Sequence, residues 1–424
     1  MHFPKHFNLK KILLHSLAKG AIALTFANFL GGSFNYLFNI LVGRALGPEG
    51  LGEIAATFSY VSVLSLPLGI VSLFILVQIG KQKDTKAYAG ALHEWYLFLI
   101  KKFWWTSVIA VLIIPFIPKL TGLSNETAYF LVPLVIVGFI AGYYESLFQG
   151  LHMLVTLSVI SIIGVFVKLL GGVSVYFFIK ELWLILSFVL GSYILKIVIG
   201  HTVIGKHLAN VSVMKINIKK KIKTIYRNRQ LWLTGSSTIA LTLLGNIDII
   251  IAKRIFGAED VGFYSAWSVY GKIILYIFGP LLSVGFIFFS SKKYKKYHRP
   301  GFVFTILIFA LIGVFAYYGY DMFALTAVNL VFGNSFLPVA PYLDIAAIYG
   351  TCFLLVLFTH QFFLAKGSWG VLILPALTLL YIGVILFAAK SIVELMIITV
   401  SFLAVVFAAS MVFYLFRRNI LFSK

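Results

Sequence analysis

The sequence predicts an all-α membrane protein with about twelve transmembrane helices in two six-helix lobes. Three observations predict this fold class: an apolar composition, regularly spaced apolar runs, and one duplicated motif. Of the 424 residues, 61% are hydrophobic, 17% aromatic and only 11% charged, whereas a soluble domain carries about 25% charged residues. A soluble fold of this length would have to expose a largely hydrocarbon surface. The composition therefore excludes a soluble enzyme, a disordered protein and a nucleic-acid-binding module.

The apolar runs define the predicted spans. A bilayer core of about 30 Å requires about 20 apolar residues per helix. The first run is too long for the apolar core of a signal peptide, so we expect it to remain as a span. The third run is short and could begin earlier, near Tyr96. The predicted spans are 17–42, 51–78, 103–118, 127–150, 153–179, 182–205, 230–252, 262–290, 301–320, 337–364, 369–389 and 392–416.

The basic residues predict the orientation in the membrane. The chain has 35 Lys and Arg against 13 Asp and Glu, a formal net charge of +22. With the N-terminus placed inside, 26 of the basic residues fall on cytoplasmic segments and six on outer connections. Because cytoplasmic segments of membrane proteins carry the excess of Lys and Arg, both termini are predicted to be cytoplasmic. The positive charge is thus interpreted as a topology signal, and no nucleic-acid partner is expected.

These spans divide the chain into five predicted regions. Residues 1–16 form a cytoplasmic or interfacial arm, which is either an amphipathic segment on the membrane surface or a partly disordered basic arm. Residues 17–205 form the N-lobe, and 230–416 form the C-lobe. The basic linker 206–229 is read as a solvated connection, with binding of anionic lipid headgroups as the alternative. Residues 417–424 form a cytoplasmic tail.

A duplicated motif relates the two lobes. Residues 43–53 read GRALGPEGLGE and residues 253–263 read KRIFGAEDVGF, with an offset of 210. Both copies lie between the first and second span of a six-span set. Because six is even, both lobes enter the membrane from the same side, which predicts a parallel repeat about an axis along the membrane normal. The aligned pairs are Arg44 with Arg254, Gly47 with Gly257, Glu49 with Glu259, Gly52 with Gly262, and Tyr60 with Tyr270.

Four segments resemble a known family: NILVGRALGPEGLGEIA, YYESLFQGLHM, GNIDIIIAKRIFGAEDVGFYSAW and LVFGNSFLPVAPYL. They look like the polysaccharide transporter branch of the multidrug/oligosaccharidyl-lipid/polysaccharide (MOP) exporter superfamily, whose best-known members are O-antigen flippases. The resemblance extends from about residue 17 to 416. It implies a V-shaped pair of six-helix bundles, similar to multidrug and toxin extrusion (MATE) transporters, around a cavity open to one side at a time.

The implied function is flipping of undecaprenyl-diphosphate-linked oligosaccharide across the bacterial cytoplasmic (inner) membrane by alternating access. The glycan would be an O-antigen, capsule or exopolysaccharide repeat unit, and the polysaccharide polymerase machinery is a possible partner. Two alternatives stay open: a multidrug or toxin antiporter of the same superfamily, and a lipid II flippase. A membrane enzyme is disfavoured, because the sequence has no nucleophile–base pair, no metal-ligand spacing and no large outer loop. We expect no catalytic residue, metal or cofactor, although a proton or sodium gradient could drive transport.

Three lysines lie well inside predicted spans: Lys168, Lys196 and Lys272. A lysine at the bilayer centre costs roughly 2.5–3.5 kcal/mol, so each requires water, a partner or a function. Small and polar residues accompany each lysine at three- and four-residue spacing, which places them on one helix face. We therefore predict that lysines from both lobes meet in a hydrated cavity and bind an anion such as a diphosphate.

Further polar residues complete the predicted site. Asn35 lies on a polar face of the first span, and Tyr264 and Tyr276 are predicted to stack on sugar faces, with helix packing as the alternative. Asp248 and Glu145 are candidates for ion coupling, because a buried carboxylate can carry a proton or bind Na⁺. The alternative is structural pairing, Glu145 with Lys168 and Asp248 with Lys272.

Overall fold

A computed structural model describes residues 16–423 except for positions 81, 83, 104, 106–111 and 210–228. Every regular element in this part of the chain is helical. The helices, numbered in chain order, are α1 Ser16–Leu64, α2 Leu66–Gly80, α3 Thr85–Phe103, α4 Ile117–Thr121, α5 Asn125–Gly150, α6 Leu154–Phe177, α7 Leu182–Leu208, α8 Arg229–Leu244, α9 Ile247–Ile255, α10 Ala258–Ser290, α11 His298–Val331, α12 Leu343–Ala365, α13 Ile373–Ala388 and α14 Ile392–Ser423. Short 3₁₀ helices cover Ile114–Phe116, Lys292–Tyr297, Asn334–Tyr342 and Trp369–Leu372.

Nine helices in the described ranges are long and apolar enough to cross a membrane. They correspond one to one to the predicted spans four to twelve. The first two predicted spans fall on α1 and α2, which are bent by 47° relative to each other. Within α1, Gly47 separates the two spans with a left-handed φ of 69°, a conformation that glycine adopts without steric cost. The third predicted span lies partly outside the described residues, as do almost all of the predicted arm and linker.

Several boundaries differ from the sequence prediction. The predicted seventh span is two helices, α8 and α9, because Gly245 and Asn246 form a turn between them. The predicted outer connection 321–336 is helical up to Val331, since the residues after Asp321 are mostly apolar and continue α11. Helix α3 occupies much of the segment that was predicted as a cytoplasmic connection. Helix α14 continues to Ser423, through most of the predicted tail.

The buried apolar residues form one joint core at one end of the molecule and two separate cores at the other. The joint core contains residues of both halves, including Leu51, Leu131, Trp267 and Phe332. It lies next to the connections that were predicted to be outside. At the opposite end, one core packs α2, α3, α5 and α7, and a separate core packs α10, α11, α12 and α14. The halves thus share a core at one end and have separate cores at the basic end, where α2 and α8 still contact each other at Gly69 and Thr238.

Candidate functional site

A cavity of about 200 Å³ lies between the two halves and is lined by residues of both. Lys168 of α6 and Lys272 of α10 both line it. Neither ammonium group has a carboxylate within 4 Å in the part of the chain that the structure describes, where the two ion pairs involve other lysines. The remaining lining is largely polar and includes Asn35, Asn39, Asn246, Ser265, Ser268 and Tyr276. The cavity therefore presents two cations and several amide and hydroxyl groups.

The side chain of Lys168 is held by groups of the bent helix α1. Its Nζ donates a hydrogen bond of 2.9 Å to Oδ1 of Asn35. The same ammonium lies 4.4 Å from the ring centroid of Phe38 and 4.2 Å from that of Phe58. Asn35 is oriented by its own amide, which donates to the carbonyl of Gly31 one turn earlier at 2.9 Å. Aromatic faces stabilise an ammonium group without supplying a counter-charge, so the two rings and Asn35 orient Lys168 without pairing it with a carboxylate.

The break between α8 and α9 brings polar backbone and side chains to the same cavity. Gly245 and Asn246 line the cavity, and the Asn246 amide donates to the carbonyl of Thr242 at 2.8 Å. Irregular backbone at membrane depth occurs where it lines a cavity, and transporters use such broken helices at binding sites. The Gly-Asn pair is a turn signal in the sequence, but the apolar run around it masked the break.

A second cavity, of about 260 Å³, lies inside the first half. Lys196 of α7 lines this cavity and forms an ion pair of 2.7 Å with Oε1 of Glu145 on α5. The pairing partner of Glu145 is thus Lys196, and the pairing of Glu145 with Lys168 that the sequence left open does not occur. Asn35, Phe58 and Lys168 line both cavities, so Lys168 stands at their junction.

Asp248 lines neither cavity and is 2% exposed in the second half, where it interacts electrostatically with Lys272. The two ion pairs of the described residues do not include Asp248, so its direct pairing with Lys272, which the sequence left open, does not occur there. Its Oδ1 accepts from the backbone N–H of Ile249 at 2.9 Å, and its Oδ2 accepts from the hydroxyl of Tyr264 at 2.5 Å. The hydroxyl of Tyr264 also lies 3.2 Å from Oγ1 of Thr399. That Oγ1 lies 2.8 Å from the hydroxyl of Tyr381. The carboxylate therefore ends a chain of three hydroxyl groups.

The polar residues spaced by four along α10 do not all face the cavity. Ser268, Lys272 and Tyr276 line the cavity between the halves, whereas Tyr264 is fully buried and lines neither cavity. Residues four apart on a helix differ by about 40° in direction, so Tyr264 points about 120° away from Tyr276. Asn246, in the turn before α9, lines the cavity, whereas Asp248, in the first turn of α9, does not.

The two halves are closed against each other at the joint core, where the repeated motifs meet. A methyl group at Gly52 would lie 2.5 Å from the carbonyl oxygen of Ala258, and one at Gly262 would collide with the carbonyl of Pro48. These contacts are reciprocal under the repeat offset of 210. Tyr60 and Tyr270 also play parallel roles, since their hydroxyls donate to the carbonyls of Thr121 and Ala327 at 2.9 and 3.1 Å.

A buried ion pair adds to this contact. Nζ of Lys253 lies 2.6 Å from Oε1 of Glu53, and both side chains are nearly inaccessible to solvent. Glu53 also accepts from the hydroxyl of Thr127 at 3.0 Å, and the guanidinium of Arg44 donates to the carbonyl oxygens of Leu330 and Val331. Sequence reasoning missed the Glu53–Lys253 pair and the aromatic residues around Lys168. Their partners are distant in the chain, and periodicity gives no signal for such contacts.

Comparison with known proteins agrees with this architecture. A family model described as polysaccharide biosynthesis protein matches residues 17–293, more than half of the chain. The teichuronic acid biosynthesis protein TuaB of Bacillus subtilis (strain 168) is 31% identical over 154 residues, which cover 34% of this chain and 32% of that protein. The matched part thus spans about a third of the length of that relative.

Solved structures match nearly the whole chain. The inward-facing conformation of a multidrug resistance MATE family transporter of the MOP superfamily superimposes with a TM-score of 0.65 at 14% identity, covering 95% of this chain and 98% of that one. An outward-facing conformation of such a transporter gives a TM-score of 0.64 at 15% identity, covering 98% and 99%. At these identities the likeness shows the fold. The chain therefore belongs to the polysaccharide biosynthesis protein family, and it is a multi-pass membrane protein with the fold of MOP superfamily transporters.

Proposed function

We propose that the protein is a flippase that moves undecaprenyl-diphosphate-linked oligosaccharide across the cytoplasmic membrane by alternating access. The glycan would be a repeat unit of an O-antigen, a capsule or an exopolysaccharide. The observation that carries the proposal is the cavity between the halves, to which each half contributes one lysine, Lys168 and Lys272, and neither is in an ion pair with a carboxylate among the described residues. Family membership and the resemblance of the curated relative, a teichuronic acid biosynthesis protein, support it.

The charge of the cavity favours an anionic substrate. A diphosphate accepts several charge-assisted hydrogen bonds, and ammonium groups bind it as point charges. Within a poorly hydrated cavity this attraction is stronger than in water. A multidrug antiporter that exports cations would instead require carboxylates in its cavity, and the carboxylates of this protein are placed elsewhere: Asp248 is buried in the second half, and Glu145 is paired with Lys196. A lipid II flippase remains the alternative for the cargo.

Alternating access requires that one end of the cavity be closed while the other is open. The joint core, the Gly52–Gly262 contact and the Glu53–Lys253 pair hold the halves together at one end. The excess of basic residues at the opposite end supports an outside location for the joined end. We therefore propose that the structure is an inward-facing state of two six-helix lobes, 17–205 and 230–416. Twelve spans and two cytoplasmic termini complete the proposed topology.

For energy coupling we propose Asp248, with no bound cofactor and with a proton or sodium gradient as the source of energy. Glu145 is the weaker candidate, because its ion pair with Lys196 already satisfies it. The hydroxyl of Tyr264 donates to Asp248 when the carboxylate is ionised and can accept from it when it is protonated. Thr399 and Tyr381 continue the chain, so rotation of hydroxyl protons accommodates either state. Asp248→Asn should abolish stimulation of transport by an ion gradient, and a fully stimulated variant would leave Asp248 with a structural role.

The proposed function is tested by transport in proteoliposomes. Purified protein is reconstituted with a fluorescent undecaprenyl-diphosphate-linked oligosaccharide, and loss of fluorescence to a membrane-impermeant quencher reports arrival in the outer leaflet. The wild-type protein should accelerate flipping, whereas the double variant Lys168→Met with Lys272→Met should give the rate of protein-free liposomes. Lys390→Met, which changes an exposed lysine far from the cavities, is the matched control. Flipping by the double variant at the wild-type rate would refute the diphosphate site.

In the cell, the effect of the same variants should be measured as the amount of surface glycan. A double lysine variant that inserts normally should leave the bacterium without the polysaccharide, and its lipid-linked precursor should accumulate on the cytoplasmic side. Polymerase machinery is the proposed partner that consumes the flipped unit. If the precursor accumulates but surface glycan is unchanged, another protein carries the flux.

A further inference from the structure

The cavity inside the first half adjoins the site proposed for the diphosphate. The two cavities share Lys168, Asn35 and Phe58 in their walls. A group bound at Lys168 therefore lies at the entrance of the second cavity. At about 260 Å³ this cavity is close to the small end of ligand pockets, about 300 Å³. Its volume suits a single sugar unit and is too small for an oligosaccharide.

The lining of this cavity is mixed, with polar groups set among apolar ones, and its lysine Lys196 already has a counter-ion. Lys196 is paired with Glu145 at 2.7 Å, and the side chains keep 15% and 34% of their exposure. Ser62 and Ser192 also line the cavity. Their hydroxyls donate to the backbone carbonyls of Phe58 and Val189, at 2.8 and 2.7 Å, which leaves the hydroxyl oxygens as acceptors. Beyond Lys168 and Asn35 at its entrance, the wall thus offers the ion-paired ammonium group of Lys196 as a donor and the two serine hydroxyl oxygens as acceptors.

We propose that this cavity, which we call the sugar subsite (Ser62, Ser192, Tyr193 and Lys196), binds the first sugar of the lipid-linked substrate and selects an uncharged one. The inference rests on the proposed function, since it places the sugar next to a diphosphate held at Lys168. An uncharged pyranose both donates and accepts through its hydroxyls, which matches the wall. An acidic sugar would have to compete with Glu145 for Lys196 and would bring a second carboxylate into a half-buried site.

Glu145 acts in this scheme through Lys196 and is a positioning residue. Replacing the carboxylate by an amide leaves Lys196 without its counter-ion next to the subsite. The subsite then carries a net positive charge, which favours a sugar carboxylate. The same change removes the group that orients the ammonium for neutral hydroxyls. If the Glu145–Lys196 ion pair were merely structural, the replacement would change only the stability of the protein. If the pair sets selectivity, the replacement changes the order in which the ligands are preferred.

The test compares three water-soluble, short-chain polyprenyl diphosphates bound to detergent-purified protein: one without sugar, one carrying glucose and one carrying glucuronic acid. Each affinity is expressed relative to the sugar-free probe, which isolates the sugar contribution. The wild-type protein should bind the glucosyl probe about tenfold more tightly than the glucuronyl probe. Glu145→Gln should cancel or invert this ratio. Glu126→Gln, which changes an exposed carboxylate at the other end of the same helix, is the matched control.

The outcomes separate the subsite from the proposed function. An unchanged glucose-to-glucuronate ratio in Glu145→Gln, or an equal weakening of all three probes, would overturn the sugar subsite. If the wild-type protein fails to bind even the sugar-free diphosphate, the proposed function itself is wrong. Should Glu145→Gln be too unstable to purify, the variant Glu145→Gln with Lys196→Met removes both charges. That variant should lose the preference for glucose without gaining affinity for glucuronate, and retention of the preference would refute the proposal.

Discussion

The two halves of the molecule share a backbone design and differ in where they place their charges. The reciprocal contacts of Gly52 and Gly262 and the parallel hydrogen bonds of Tyr60 and Tyr270 follow the offset of 210 residues. In the first half, both intramembrane lysines face a cavity. In the second half, Lys272 faces the shared cavity, while the buried carboxylate of Asp248 accepts hydrogen bonds from the hydroxyl of Tyr264 and the backbone N–H of Ile249.

This difference indicates a division of labour between duplicated bundles. Positions related by the offset have diverged in charge: Ser62 corresponds to Lys272, and Phe38 corresponds to Asp248. The glycine contact and the tyrosine hydrogen bonds recur at the offset of 210, whereas these intramembrane charged positions do not. In the proposed mechanism, the first half contributes Lys168 and the sugar subsite, and the second half contributes Lys272 and the coupling candidate Asp248.

The largest effect on stability is expected at an ion pair that joins the two halves but is not repeated by the duplication. The ion pair of Glu53 and Lys253 has no duplicate, since the aligned residues are Phe263 and Gly43. Glu53→Gln leaves a buried ammonium unpaired, which costs about 3–5 kcal/mol in known buried pairs. The midpoint of thermal unfolding in detergent should fall strongly, while Glu259→Gln, at an exposed position, should leave it unchanged. An unaltered midpoint in Glu53→Gln would mean that the pair contributes nothing to the closed end.

A smaller effect should follow from filling the reciprocal glycine contact. Gly262→Ala forces a methyl group onto the carbonyl of Pro48, and overpacking of this kind costs about 1–3 kcal/mol. Because the contact exists only where the halves are closed, the cost should shift the population towards a state that is open at this end. Gly52→Ala should act in the same direction, as the duplication requires. Gly257→Ala is the control, since nothing lies within 4 Å of its added methyl group.

The shift is measurable as a distance between the halves. Spin labels at Lys119→Cys and Lys390→Cys, in a protein whose Cys352 is replaced by Ser, report the separation of two exposed outer positions. The distance distribution should move to longer values in both glycine variants and stay in place in the control. If only one of the two glycines has an effect, the contact is not the symmetrical gate that the duplication predicts.

The smallest effect on binding should come from the two aromatic rings next to Lys168, those of Phe38 and Phe58. Phe58→Leu removes one of the two rings next to the Lys168 ammonium, a contact worth about 0.5–2 kcal/mol. Affinity for a soluble polyprenyl diphosphate should therefore fall by roughly two- to thirtyfold, as measured by titration of the purified protein. Phe315→Leu, at an exposed position on the outer surface, is the control. An unchanged affinity would show that Lys168 needs no aromatic support.

Much of the fold was predictable because a membrane imposes a length and a polarity on every span. Predicted spans four to twelve correspond to the observed long helices, and the turn at Gly47 lies where its Gly-Pro pair predicts a break. The break at Gly245 was missed, since an apolar run hides a two-residue turn from any window of helix length. The extension of α11 to Val331 was missed because helices need not end at the membrane surface.

The candidate site was predictable to the level of residue type and helix face. The sequence identified Lys168, Lys196 and Lys272 by the cost of burying a charge, and the structure places two of them in one cavity. It could not assign the partners. Glu145 forms its ion pair with Lys196. Tyr264 is buried and does not face the cavity with the other polar residues of α10. Both facts depend on how the helices pack against each other, which the sequence of a single helix does not determine.

The most direct test of the central claim is the affinity of the purified protein for a soluble polyprenyl diphosphate, measured with and without the two lysines of the shared cavity. Lys168→Met combined with Lys272→Met should weaken binding by about a hundredfold or more, since each charged hydrogen-bonding group is worth about 1.5–3 kcal/mol. Each single variant should lie in between, and Lys390→Met should bind as the wild type does. Wild-type affinity in the double variant would contradict the account, because the diphosphate would then bind elsewhere.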